Sequence, residues 1–260
     1  MDNRFLITND FGNYSFLTNK QFYNLLKDQM DPSDDDEKKT ELIEKGFIGI
    51  HGQEQFLTQH ANKLIDMKSY LFHAPSLHIF VVTTACNGDC VYCQAQSHHT
   101  GTGLMMEKET AEKAIDLVLS SPSPYITIEF QGGEPLLNVP FIKQVIDYLE
   151  SLNPIGKKFH YNMTTNAMLL DKYMDFLVEK EFRLLISLDG DEKGQSYRVD
   201  AKGQNSFNKV FSNVQLLRSK YPTYFKHFVM FNSVLHNRNG VESAYRFIKD
   251  EFGKETAISP

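Results

Sequence analysis

From Ser76 onward the spacing of apolar positions switches repeatedly between two periods. The runs Leu77–Thr83, Tyr125–Gln131, Lys158–Thr164, Arg183–Leu188 and Lys226–Val234 are apolar and rich in β-branched or aromatic residues, which predicts strands. Between and after them, apolar residues recur three and four apart over Met106–Ser120, Asn138–Ser151, Asp171–Glu181, Ser206–Lys220 and Gly240–Phe252, which predicts helices. Strand and helix in strict alternation predict an α/β fold with a parallel sheet. Glu255–Pro260 reads as the start of a sixth strand.

Residues 1–75 follow a different pattern. Arg4–Thr8 and Tyr14–Leu17 are short β-prone runs around the turn-like Asn9-Asp-Phe-Gly-Asn13, so a hairpin is expected. Thr18 is placed to cap a helix beginning near Asn19, with Phe22, Leu25 and Leu26 on its apolar face. Asp31-Pro-Ser-Asp-Asp-Asp-Glu37 reads as a solvated, charged link. A second helix is expected through Leu42, Ile43 and Phe47, stopping near Gly46 or Gly49. The segment 1–75 is thus expected to be a small α+β, winged-helix-like module beside a main domain at 76–260. Its surface would serve either as packing or to dock a peptide.

Composition narrows the partners. A hydrophobic content of 41% supplies a full core, and a net charge of −6 argues against nucleic acid. The start does not look like a signal peptide, and no apolar run approaches the roughly 20 residues of a membrane span. A soluble, cytoplasmic protein without membrane contact is expected.

The chemistry is concentrated in the cysteines. The chain has three, Cys86, Cys90 and Cys93, all within Thr84-Ala-Cys-Asn-Gly-Asp-Cys-Val-Tyr-Cys-Gln94. Pairing two of them in a disulfide leaves one over, and the gaps are too short for comfortable bridge geometry. A structural zinc ion takes four ligands, which would require His98 or His99 as well. A thioredoxin-like Cys-x-x-Cys would have no use for Cys86. Three thiolates turned towards one point can hold three irons of a [4Fe-4S] cubane and leave the fourth iron open to a ligand.

The remaining unusual clusters each follow a predicted strand, and in parallel β/α folds ligands gather at those ends. The cysteine loop follows the first strand, Gln131-Gly-Gly-Glu-Pro135 the second, Thr164-Thr-Asn166 the third and Ser187-Leu-Asp-Gly190 the fourth, while Asn232-Ser-Val-Leu235 ends the fifth. Gly132 and Gly133 let a ligand approach backbone carbonyls that can accept from an ammonium group, and Glu134 adds negative charge. Gly-Gly-x-Pro can also be a simple turn. Ser187 and Arg198 can donate to a carboxylate. Thr165 and Asn166 can meet ribose hydroxyls or simply end a strand. Tyr92 can pack on an adenine face or anchor the loop. Asp189 can bind a ligand or orient its own loop.

Together these motifs resemble the radical S-adenosylmethionine (radical SAM) superfamily over residues 76–260. The resemblance implies a partial (β/α)6 TIM-like barrel, with a [4Fe-4S] cluster on Cys86, Cys90 and Cys93. It also implies S-adenosylmethionine (SAM) on the open iron, with its ammonium at Gly132, Gly133 and Glu134 and its carboxylate at Ser187 and Arg198. Ser187-Leu-Asp-Gly190, Tyr197-Arg-Val-Asp200 and Gly203-Gln-Asn-Ser-Phe207 resemble the branch of anaerobic sulfatase-maturating enzymes and peptide maturases. Leu6–Leu17 and the Cys93-Gln94 junction resemble maturases of His-Xaa-Ser peptide systems. The branch implies a precursor peptide or protein substrate and an electron donor such as a flavodoxin or ferredoxin. It commonly adds cysteine-rich C-terminal regions with auxiliary clusters. No cysteine follows Cys93, so this chain is expected either to be part of a longer protein, truncated near strand six, or to work with a partner maturase. Radical SAM chemistry on a small metabolite and a catalytically silent peptide-binding protein are the competing readings.

Overall fold

The computed structural model describes residues 4–27, 36–49, 53–69, 75–95, 98–99, 103–153 and 156–259 (side chains excepted at 36, 53–59, 98 and 99). The chain divides into two compact units, Met1–His73 and Ala74–Pro260.

In the first unit, β1 (Arg4–Thr8) and β2 (Tyr14–Thr18) form an antiparallel hairpin in which Leu6 faces Phe16. Asn9 closes the turn: its Oδ1 accepts from the amides of Phe11 at 3.2 Å and Asn13 at 3.1 Å. Thr18 caps α1 (Asn19–Leu26) in a capping box with Gln21, as its sequence position predicts. Helix α2 (Asp36–Glu44) ends at Gly46, whose φ is 73°. The Phe47 amide reaches the Leu42 carbonyl at 2.8 Å and the Gly46 amide that of Ile43 at 3.0 Å, a Schellman stop. Two features depart from the sequence reading. Asp36 and Glu37 belong to α2 and not to the charged link, whose residues 31–35 lie outside the described ones. A 15-residue helix, α3 (Gln53–Met67), was not anticipated.

The second unit is built on a six-stranded parallel sheet in the order β3, β6, β7, β8, β9, β10. These strands are β3 (Leu77–Thr83), β6 (Tyr125–Gly132), β7 (Lys158–Thr165), β8 (Arg183–Ser187), β9 (Val229–Val234) and β10 (Thr256–Ser259). A small parallel pair, β4 (Ala85–Cys86) and β5 (His98–His99), sits in the loop after β3. Helices α4 (Lys108–Ser120), α5 (Val139–Ser151), α6 (Leu170–Glu179), α7 (Phe207–Lys220), α8 (Pro222–Phe228) and α9 (Val241–Phe252) run between the strands. The strand order is chain order, which is the layout of a partial (β/α)6 barrel.

The core joins one face of the sheet to the helices. Ile126, Ile128 and Phe130 of β6 are fully buried together with Ile142 and Ile146 of α5 and Val214 of α7. The alternate residues of the strands face the other way, and Gln131, Thr164, Ser187 and Asn232 among them line a cavity. The sixth strand forms, pairing Thr256–Ser259 with Phe231–Val234. The fifth differs from its expected span: Lys226–Phe228 lie in α8 and not in a strand. Pro222 begins that helix, and Tyr224 and Phe225 are buried, so a helical turn satisfies this apolar run. No helix among the described residues is long and apolar enough to cross a membrane.

Candidate active site

The cysteine loop is fastened at its base and along its side by backbone. Thr84 N donates to Leu104 O at 2.9 Å and Leu104 N returns to Thr84 Oγ1 at 2.8 Å, closing the loop at the sheet. Along the side, Asp89 N reaches Val199 O at 2.8 Å and Val91 N reaches Tyr197 O at 3.0 Å. Cys93 N donates to Cys90 O at 3.0 Å, a turn that brings the last two thiols round together. No disulfide joins the cysteines, and all three line one cavity. Burial pushes the Cys86 thiol up to about 11. Burial also raises Cys90, against the opposing pull of the Arg198 guanidinium in hydrogen-bond contact with it. The raised Cys86 and Cys90 thiols favour the protonated form, so a metal bound by them would displace protons.

The Gly-Gly-Glu segment is stitched to this loop. Gly133 N donates to Thr83 O at 2.9 Å and Glu134 N to Ala85 O at 2.9 Å, extending the β3–β6 ladder past the strands. A Cβ on Gly132 would lie 2.3 Å from Thr83 O, and one on Gly133 would lie 2.3 Å from Ala85 O. The glycines are therefore demanded by the close approach of two backbones of this chain. The Glu134 carboxylate turns inward and is fully enclosed. It accepts from Leu136 N at 3.0 Å, Thr165 Oγ1 at 2.7 Å and Asn166 N at 2.8 Å. Burial nevertheless pushes its pKa up to about 7. Glu134 thus ties the end of β6 to the end of β7. Thr165 is held on both sides, since its Oγ also accepts from Ala167 N at 3.0 Å. Asn166 points at the cysteine loop, with Nδ2 2.8 Å from Asn87 Oδ1 and 3.8 Å from Cys86 Sγ.

Behind the cavity lining Asp189, fully buried after β8, pairs with Arg198. Arg198 Nη2 donates to Asp189 Oδ1 at 3.0 Å, while Nε lies 3.0 Å from Oδ2 with its N–H turned aside. The Tyr92 hydroxyl also donates to Asp189 Oδ2. The Tyr92 ring stacks on His236 with centroids 5.7 Å apart and has the Arg198 guanidinium 5.3 Å over it. With its hydroxyl and ring already engaged by the chain, Tyr92 sits as an anchor of the loop.

The three cysteines, Tyr92, Gly132, Gly133, Glu134, Thr165, Asn166, Ser187 and Arg198 all line one cavity, while Asp189 is not among its lining residues. Its volume is about 480 Å³, within the range of cofactor sites. Among the described residues no three His, Cys, Asp or Glu side chains converge tightly enough to hold a single metal ion. The side chains of His98 and His99, the alternative fourth ligands, lie outside the described residues. Three thiols lining one cavity are the donor set of a cluster with an open corner. Sequence reasoning missed the parts played by Asn87 and His236, and it left Asp189 undecided. Their polar identity was visible, but the partners are 79 residues apart for Asn87 and Asn166, 97 for Tyr92 and Asp189, and further still for Tyr92 and His236.

A parallel β/α barrel with thiols and exposed backbone at the carboxyl rim defines a class: an enzyme that works through a bound metal cluster. The match to a family model narrows it. Residues 80–248 match the model described as the radical SAM superfamily, and the chain belongs to that superfamily. Its cofactors are a [4Fe-4S] cluster and S-adenosylmethionine. The chain is 23% identical to the radical SAM cyclopropyl synthase TigE of Paramaledivibacter caminithermalis, over 98% of this chain and 54% of that protein. It is 27% identical to a cysteine-type anaerobic sulfatase-maturating enzyme of Clostridium perfringens, over 68% of this chain and 49% of the relative. Among solved structures, native anSMEcpe with bound AdoMet and the Cp18Cys peptide superposes with a TM-score of 0.60 at 26% identity, covering 70% of this chain and 49% of that one. The chain spans about half the length of the curated relatives it matches.

Proposed function

We propose that this chain is the SAM-cleaving core of an enzyme that modifies a side chain of a peptide or protein. The observation that carries the reading is the convergence on one cavity of three thiols, the Gly-Gly-Glu backbone and the Ser187–Arg198 pair. Relatives that mature sulfatases, and a neighbour holding both AdoMet and a peptide, support the substrate class.

In this reading Cys86, Cys90 and Cys93 hold three irons of the cluster. When bound and reduced, the cluster supplies the electron that splits the sulfonium C–S bond of SAM, so that the adenosyl carbon takes a hydrogen atom from substrate. The residues of the chain bind and orient. The carbonyls at Gly132 and Gly133 accept from the methionine ammonium, and Glu134 holds that backbone in place from behind. Ser187 and the outward part of the Arg198 fork receive the methionine carboxylate. Asn166 lies where a ribose hydroxyl can meet it, and Thr165 shapes that strand end. An electron donor of the flavodoxin or ferredoxin kind supplies the reduction. The N-terminal unit presents Leu6, Tyr14 and Phe16 to solvent along its hairpin, a surface suited to docking a precursor peptide.

Anaerobic reconstitution with iron and sulfide tests the core of this. The expected result is about four irons per chain and 5′-deoxyadenosine formed from SAM under reducing conditions. Zinc without iron in anaerobically purified protein would refute it. A small precursor peptide that raises turnover would separate peptide modification from chemistry on a metabolite.

A further inference from the structure

Asp189 is a buried carboxylate into which three separate stretches of chain converge. From the cysteine loop comes the Tyr92 hydroxyl; from its own loop, Arg198 Nη2 at 3.0 Å; from the end of β9, the Val234 amide at 2.8 Å. His236 Nε2 stands 3.8 Å from Oδ2 but lies nearer, at 2.9 Å, to Gly194 O. The backbone of Asp189 is fixed as well: its amide donates to Gln195 Oε1 at 2.8 Å and its carbonyl accepts from Asn239 Nδ2 at 3.0 Å. A buried carboxylate is expensive unless a cation and further donors answer it. Here the cation is Arg198, which also lines the cavity and touches Cys90. A long side chain reaching a cofactor site would otherwise lose much rotamer freedom when a ligand arrives. Clamped by Asp189, it has lost that freedom already.

We propose that Asp189 is a positioning residue for the cofactor: acting through Arg198, and steadied by Tyr92, it presets the cationic fork beside Cys90 so that the SAM carboxylate finds a fixed receptor. This rests on the functional reading above and deepens it.

The test uses the full chain, reconstituted anaerobically, as wild type, D189N, R198K and the double variant. Iron content and the electron paramagnetic resonance spectrum of the dithionite-reduced cluster are followed during a SAM titration. D189N is expected to load iron like wild type, with its half-maximal spectral change at about tenfold higher SAM. R198K is expected to shift comparably. The double variant should be no worse than the weaker single, because both remove one receptor. A D189N titration that overlays wild type overturns the proposal, and so do shifts that multiply in the double variant. Should circular dichroism show D189N unfolded, Y92F carries the test: a rise of about threefold is expected, and an unchanged midpoint overturns the proposal. A wild-type chain that takes up no iron overturns the functional reading itself, and that result appears before any variant is compared.

Discussion

Glu41 of the N-terminal unit and Glu134 of the barrel are both carboxylates that accept three hydrogen bonds, and their acidities move in opposite directions. Glu41 remains partly open to solvent and meets two ammonium groups, Lys38 and Lys45, besides the Ser15 hydroxyl. Those donors pull it down to about 2. Glu134 meets only neutral donors, two amides and a hydroxyl, and burial pushes it up to about 7. Hydrogen bonds favour the ionised form in both places, but without a nearby cation they do not offset complete desolvation. The first unit therefore uses charge at its surface. The second tolerates an enclosed acid because that acid braces the cofactor rim.

The comparison can be broken at five positions. The largest effect is expected at the rim: C90A should abolish SAM cleavage and cluster absorbance, with the circular dichroism spectrum of the chain unchanged. Next come two glycines required for different reasons. G133A places a methyl 2.3 Å from a backbone oxygen, so a loss of about 3 kcal/mol or more is expected in a denaturant melt. Gly12 in the hairpin has φ 76° and nothing within 4 Å of its missing Cβ, so G12A should cost only about 1 kcal/mol. Equal costs would mean that the rim backbone yields more easily than its geometry suggests.

Titration sharpens the contrast. The Glu134 pKa is raised on folding, so its contribution to stability is full below the ordinary value of 4.5 and is lost as pH rises through about 7. That interval is worth up to about 3 kcal/mol in the apoprotein. Urea midpoints of wild type should fall across the interval, whereas those of E134Q should stay flat. Glu41 has the opposite sign: its contribution is present above 4.5 and is lost as pH falls towards about 2. As a partly exposed pair it should give the smallest change, less than about 1 kcal/mol for E41Q at neutral pH. An acid limb equally steep in E41Q and wild type would show that this network carries nothing.

How much could be read in advance follows from how local each signal is. The cysteine triad occupies eight residues, and strands β3, β6 and β7 carry their period within single runs. Helix α8 was missed because its end, Lys226–Phe228, runs straight into the apolar residues of β9 and reads as the start of that strand, although Pro222 sets a helical entry. Helix α3 has apolar residues at Phe56, Leu57 and Leu64 but no strong cap signal before them. The site candidates were visible as residue types at strand ends, but their division of labour was not. Besides lining the cavity, Gly133 lets the Ala85 backbone approach closely, and the Glu134 carboxylate accepts from Thr165 and Asn166. Such roles depend on contacts between residues about 30 to 50 positions apart, which no local pattern reports.

The two hydrogen bonds from the Gly133 and Glu134 amides to the Thr83 and Ala85 carbonyls have a wider consequence. They make the sulfur-bearing segment and the carbonyl-bearing segment one piece of main chain, so their mutual distance is indifferent to most side-chain replacements nearby. Under the proposed function, a residue on the open side of the sheet such as Gln131 could then be exchanged to suit a new guest without detuning the machinery that generates the reactive carbon. A fold arranged this way separates what it attacks from how it attacks.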